Sequence, residues 1–166
     1  MENKAIIVDT LESTFAELEK AIKRFDGSNF NQKPARGGWT PGQVAQHLAL
    51  AGTGIDRVLL GATRETEGAA DKQVASIKEV FLNFDFKMTS PDFIDPANED
   101  YDQNTLLNKL NDIGKTLVKL TTDLDLSITC LDFEVPVWGH LTRLELIYFV
   151  IYHTQRHTRQ LQQLDF

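Results

Sequence analysis

The sequence predicts an all-α protein, a four-helix bundle in one domain spanning residues 1–166. Three observations carry that expectation. Four segments repeat their apolar residues at helical steps, two of them open with reciprocal capping signatures, and no repeat or composition break divides the chain.

The first helix is expected from about Ala5 to Phe25. There Ile7, Leu11, Phe15, Leu18, Ile22 and Phe25 fall at steps of three and four, and Asp26-Gly27 closes it. The second opens on Thr40-Pro41-Gly42-Gln43. Thr40 can cap, Pro41 suits the first helical position and Gln43 can reach back to the cap. Its apolar face continues through Val44, Leu48, Ala51, Ile55 and Leu59. Gly52, Gly54 and Gly61 weaken it and permit a close neighbour.

A long connection, Thr63 to Asp102, follows. Val74 to Leu82 is expected as a short helix, and MTSPDFIDPANEDYD as loop. Such a crossover joins bundle helices that are not antiparallel neighbours. The third bundle helix is expected over Gln103 to Asp123, with Leu106, Leu110, Ile113, Leu117, Leu120 and Leu124 inward. The fourth spans about Leu141 to Leu164, with Thr142 and Glu145 as a second capping box.

Composition narrows the function. The chain is 42% hydrophobic and 25% charged, ordinary for a globular protein, with a net charge of −7. That balance argues against a phosphate-backbone binder, so no nucleic-acid partner is expected. The longest apolar run, around Leu144 to Tyr152, is interrupted by Glu145 and far too short for a membrane span. One cysteine, Cys130, excludes an intramolecular disulfide. With no apolar leader at the N-terminus, the expected location is cytoplasmic.

The unusual feature is where the histidines fall. Leu146, Val150, His153, His157, Gln160 and Leu164 form one seam of the last helix, and it turns polar in its middle. Residues four apart on a helix point the same way, about 6 Å apart, so two imidazoles there can converge on one ion. H-T-Q-R-H lacks the glutamate of the H-E-x-x-H proteases, so that activity is not expected. His47 lies two turns into the second helix on a stripe with Val44, Ala51 and Val58, and also faces inward. A histidine on one helix and a pair on another is how bundles build metal sites in their cores. The bland alternative is a structural cluster of satisfied core histidines.

Three stretches resemble the DinB/YfiT-like superfamily of metal-dependent enzymes: GGWTPGQVAQHL (Gly37 to Leu48), MTSPDFIDP (Met88 to Pro96) and VPVWGHLTRLELIYFVIYHTQRHTRQLQQL (Val135 to Leu164). The most specific part is W-[ST]-x6-H early with H-x3-H-x2-Q-L late. The resemblance implies an up-down-down-up bundle with its long crossover between helices 2 and 3. It implies one divalent metal, nickel or zinc, on His47, His153 and His157, and a homodimer. The family name carries no implication of DNA binding.

Three imidazoles leave a coordination position open, the arrangement of a catalytic rather than a structural site. The expected activity is therefore that of a hydrolase or a thiol S-transferase, in which the ion activates water or a low-molecular-weight thiol toward a small-molecule substrate. The rival is a non-catalytic bundle binding an unknown ligand, with a vestigial or empty histidine site. Gln43 and Gln160 are read as cap and bundle polar rather than as partners of the ligands. His140 is read as a loop residue, Cys130 as a small buried one, and Trp39 and Trp138 as packing at helix starts. Asp92, Asp95, Glu99, Asp100 and Asp102 are read as solvated surface.

Overall fold

The computed structural model describes residues 3–166 and forms a four-helix bundle. Helix α1 spans Lys4–Ile22, α2 Pro41–Gly52, α3 Ile55–Leu60, α4 Val74–Leu82, α5 Gln103–Asp123 and α6 Arg143–Gln162. The bundle consists of α1, α2, α5 and α6. A two-stranded antiparallel ribbon, β1 (Thr63–Arg64) and β2 (Thr129–Cys130), ties the two long connections together.

The local chemistry explains each boundary. Asn3 caps α1 by accepting the Ala5 N–H at 3.0 Å. Helix α1 ends about a turn earlier than the apolar spacing suggests, yet Phe25 stays buried in the turn that follows. Both capping boxes form as expected: Thr40 with Gln43 and Thr142 with Glu145 exchange side-chain and backbone bonds. Asp102 caps α5 through the Thr105 N–H at 2.7 Å.

The second predicted helix is broken in two. Its apolar spacing runs on to Leu59, but Thr53 turns its hydroxyl back onto Ala49 O at 2.6 Å and Gly54 adopts φ 87, outside the helical region. The chain then restarts as α3. Gly52 serves the purpose expected of it: a Cβ there would sit 3.0 Å from the Ile113 side chain, so α2 and α5 pack closely at that point and a larger residue would force Ile113 to shift.

Hydrogen bonds between helix ends set the directions. Lys4 Nζ reaches Leu124 O at 2.6 Å and Gln103 Nε2 reaches Ile22 O at 2.9 Å, so α1 and α5 are antiparallel. Arg24 Nη1 donates to Gln162 O, which puts the C-termini of α1 and α6 together. Asn31, just before α2, exchanges two bonds of 2.9 Å with the backbone of Tyr101, just before α5, so α2 and α5 run parallel. The order is up-down-down-up. Helices α1 and α2 occupy one diagonal, α5 and α6 the other, and α4 lies against the outside of α6. The core fills the middle with Leu11, Leu18, Val44, Leu117 and Ile151, all buried. Among the described residues no helix is long and apolar enough to cross a membrane.

This arrangement positions the site. Helices α2 and α6 touch across the bundle, and the loop before α5, with a single 3-10 turn at Asp92–Ile94, folds over α2. His47, His153 and His157 meet beneath it.

Candidate metal centre

His47 and His153 are buried and His157 is half-buried, and their rings converge. His47 Nε2 lies 2.9 Å from His153 Nε2, and His157 Nε2 lies 3.1 Å from the same atom. One nitrogen from each ring lies within 4.8 Å of the other two. Three imidazoles bound tetrahedrally at 2.0–2.1 Å would hold their nitrogens roughly 3.3 Å apart, so the spacing suits a single ion. The helices supply this convergence directly. The i, i+4 step on α6 stacks two rings, and the inward stripe of α2 presents the third across the interface.

The far sides of the rings fix their tautomers. His47 donates its Nδ1–H to the carbonyl oxygen of Ile94 at 2.9 Å, with Ser90 Oγ at 3.4 Å from the same nitrogen. His157 donates its Nδ1–H to Gln160 Oε1 at 2.8 Å. Both acceptors leave Nε2 with a free lone pair facing the centre. Two lone pairs aimed at one point need a proton or a cation between them. A proton on His153 Nε2 meets that need for the pair, and a divalent ion satisfies all three nitrogens at once. The donor set therefore fits the ion that the sequence implies.

Electrostatics agree with this reading. Burial is the largest force lowering the pKa of all three rings. His157 is pushed down to about 3, first by burial and then by His47, against the Gln160 bond. His153 goes well below its ordinary value, with His157 and His47 adding to the effect of burial. For His47 the Ile94 carbonyl and the Asp95 carboxylate oppose the burial. Neutral imidazole is the form a metal needs, and the site holds that form ready.

Two residues do more than the sequence reading gives them. Gln160 is not merely a bundle polar, because it orients His157. Its position three residues on, on the same helix face, is the signal that could have found it. Trp39 is not confined to packing at a helix start: its ring lies 4.9 Å from that of His47 and 6.3 Å from that of His157, against two of the three imidazoles. The Ile94 carbonyl carries no residue-type signal at all. Gln43, by contrast, is the cap it was read as, and its amide also donates to Ala97 O at 3.2 Å, pinning the covering loop.

Of the remaining candidates, Asp95 reaches the centre through its charge on His47, and the others stand outside the histidine cluster. His140 lies in the turn before α6, 3.3 Å from Glu134. Cys130 is buried in β2, where burial pushes its thiol pKa up, away from nucleophilic use. Asp92, Asp95, Glu99, Asp100 and Asp102 are exposed.

Gln160→Leu should weaken metal binding about 10- to 100-fold, as loss of such ring-orienting partners does, while leaving the far-UV circular dichroism unchanged. Competition with a chromophoric chelator measures it, and unaltered affinity would remove Gln160 from the site.

Comparison with known proteins agrees with the four-helix fold. TT2238, a four-helix bundle protein, superposes with a TM-score of 0.60 at 20% identity, covering 96% of this chain and 98% of its own. YfiT from Bacillus subtilis, described as "a probable metal-dependent hydrolase with an unusual four-helix bundle topology", superposes with a TM-score of 0.65 at 17% identity, covering 98% of this chain and 87% of its own. At those identities the likeness concerns the fold. No curated protein matches the sequence. The profile of the DinB superfamily matches residues 10–161, nearly the whole chain including all three site histidines, and the protein belongs to that superfamily.

Proposed function

We propose that this single bundle domain is a metal-dependent enzyme in which His47, His153 and His157 hold a divalent ion, nickel or zinc, that activates a low-molecular-weight thiol or water toward a small-molecule substrate. The observation that carries the reading is the convergence of three imidazole nitrogens, two of them already held with their lone pairs inward by Ile94 and Gln160. A divalent ion there supplies Lewis acidity, bringing the pKa of a coordinated thiol or water toward neutrality. Three protein donors leave room for that ligand. Imidazole suits both nickel and zinc.

The chain's own residues divide the remaining work. Ile94 and Gln160 hold the rings, and Trp39 packs against two of them. Among the described residues no carboxylate joins the histidine cluster. A hydrolytic water benefits from a general base and a leaving group from an acid. The ion lowers the pKa of a bound thiol or a bound water alike, so the donor set serves both branches, and the description of YfiT as a hydrolase lends support to the water branch. Rings splayed beyond the reach of one ion would favour a vestigial cluster, and distances of 2.9 and 3.1 Å remove that argument for it; metal uptake decides between the two. A cytoplasmic homodimer is the setting proposed with this function.

The test has two steps. Purified protein supplemented with nickel or zinc should hold about one ion per chain, by elemental analysis. The loaded protein is then screened on electrophiles with and without thiol, and on esters and amides alone. Turnover that requires thiol supports the transferase, and thiol-independent cleavage supports the hydrolase. A chain that retains no metal after supplementation overturns both.

A further inference from the structure

The crossover that leaves α4 is held by its backbone rather than by its side chains. Residues 83–91 form no helix or strand, and residues 83–89 are all exposed, so burial does not anchor them. Helix α6 supplies the anchor. Arg156, between His153 and His157, donates from Nη1 to the carbonyl oxygens of Phe81 and Asn83 at 3.0 and 3.1 Å, and from Nη2 to that of Phe86 at 2.5 Å. The Phe81 carbonyl is one of those a helix end leaves without an internal partner. The Phe86 carbonyl lies beyond the helix, so the guanidinium does more than cap α4. Its fixed fork of charge-assisted donors suits several carbonyls at once. Three residues on, Arg159 stands over the Phe84 ring, 4.2 Å from its centroid.

The far end of the same stretch acts on the other ligand helix. The Ile94 carbonyl oxygen accepts the Nδ1–H of His47 at 2.9 Å, Ser90 Oγ stands 3.4 Å from that nitrogen, and the Asp95 charge bears on the same ring. Ala97 O then takes the Gln43 amide at 3.2 Å and the Tyr101 hydroxyl at 3.0 Å. Between the grip at Phe86 and the contact at Ser90 lie only Lys87, Met88 and Thr89, all exposed. The strap thus runs from the turn of α6 that carries His157 to the turn of α2 that carries His47. The core side of the centre leaves little slack, since the cavity beside His153 measures about 10 Å³, the room of about one water.

We propose that Arg156 is a positioning residue of the metal centre: by gripping the backbone at Asn83 and Phe86 it keeps the strap seated, and with it the Ile94 carbonyl on His47. This rests on the metal-dependent reading above and deepens it. The effect crosses from one ligand helix to the other. Arg156 adjoins His157 in sequence, yet the ring it sets is that of His47 on α2. Without the grip the strap can lift, the Nδ1–H of His47 turns to water, and the ring loses the bond that keeps Nε2 inward. His157 keeps its own acceptor, Gln160, on its own helix.

Arg156→Met, which removes the charge and the donors but keeps a long apolar stem, tests this. In the metal-free protein, amide exchange over residues 84–95 should run at least about tenfold faster than in the wild type, with α5 unchanged. By NMR, the ring Nδ1–H of His47 should exchange with water at least about threefold faster relative to that of His157. Zinc affinity, by chelator competition, should fall about 3- to 30-fold. A residue that only caps α4, or only stiffens α6, gives other results. An unchanged strap, an unchanged zinc affinity, or a His157 proton loosened as much as that of His47 each overturn the proposal. Arg156→Lys keeps the charge but not the fork, and carries the same three measurements should the methionine variant fail to fold. A wild-type chain that takes up no zinc overturns the metal reading and this role with it, and that failure is seen before any variant is compared.

Discussion

His153→Ala should lose stoichiometric metal, with an affinity for nickel or zinc lower by more than about 100-fold. Removal of a ring-orienting partner already costs about 10- to 100-fold, and a direct ligand must cost more. His153 is the right residue to remove because its Nε2 is the shared point of the cluster, 2.9 Å from His47 and 3.1 Å from His157. The substitution leaves two lone pairs facing an emptied space that joins the cavity beside His153. Water can enter and solvate both, so the fold is expected to survive. Far-UV circular dichroism checks that survival, and elemental analysis after dialysis against supplemented buffer reads the metal. His140→Ala is the matched control: it removes a ring that lies beside Glu134 in the turn before α6, outside the histidine cluster, and it should change nothing. If the His153 variant kept one ion per chain, or if the His140 variant lost it, the ligand set would be wrong.

Some of this centre was visible in the sequence, and the part that was not has physical reasons. The capping boxes at Thr40 and Thr142 fix where α2 and α6 begin, and helical spacing from those starts turns His47, His153 and His157 inward. That is local information, encoded within one turn. The end of α2 was harder. Apolar spacing continues across Gly54, and the extended backbone of Thr53 followed by the left-handed backbone of Gly54 breaks the helix. The ribbon of Thr63–Arg64 with Thr129–Cys130 is two residues long, below the length at which alternation can show. Tertiary partners were harder still. The Ile94 carbonyl acts on His47 from 47 residues away through a backbone atom that every residue possesses. Trp39 could be placed at the start of α2, but not over two rings on two helices. Gln160 was legible, since it shares a helix face with His157, yet a polar residue near a helix end is more often solvated than engaged.

The metal-free protein should lose stability as the pH falls from about 6.5 toward 4.5, while its metal affinity stays nearly flat over the part of that range in which it remains folded. The sign follows from proton counts. Unfolded histidines titrate near 6.5, whereas burial lowers all three in the folded chain, His157 to about 3 and His153 well below its ordinary value. Between those limits the unfolded state binds more protons, and stability rises with pH wherever that is so. The contribution is therefore complete above about pH 7 and is lost on acidification through the window. Each unit of separation is worth about 1.4 kcal/mol per group. Over the two units from 6.5 to 4.5 His157 alone gives on the order of 3 kcal/mol, and His153 and His47 act in the same direction. Urea denaturation of the metal-free protein at pH 7, 5.5 and 4.5 measures the slope. Metal binding behaves differently because burial holds the folded rings toward neutral imidazole, so on acidification the ion displaces fewer protons than it would from ordinary exposed histidines, which lose affinity steeply below 6.5. Competition titrations at pH 7 and 5.5 should therefore give affinities within about threefold of each other. A tenfold fall, or urea midpoints that do not move with pH, would mean that the three rings titrate as solvated histidines and that burial does not hold them in the ligand form.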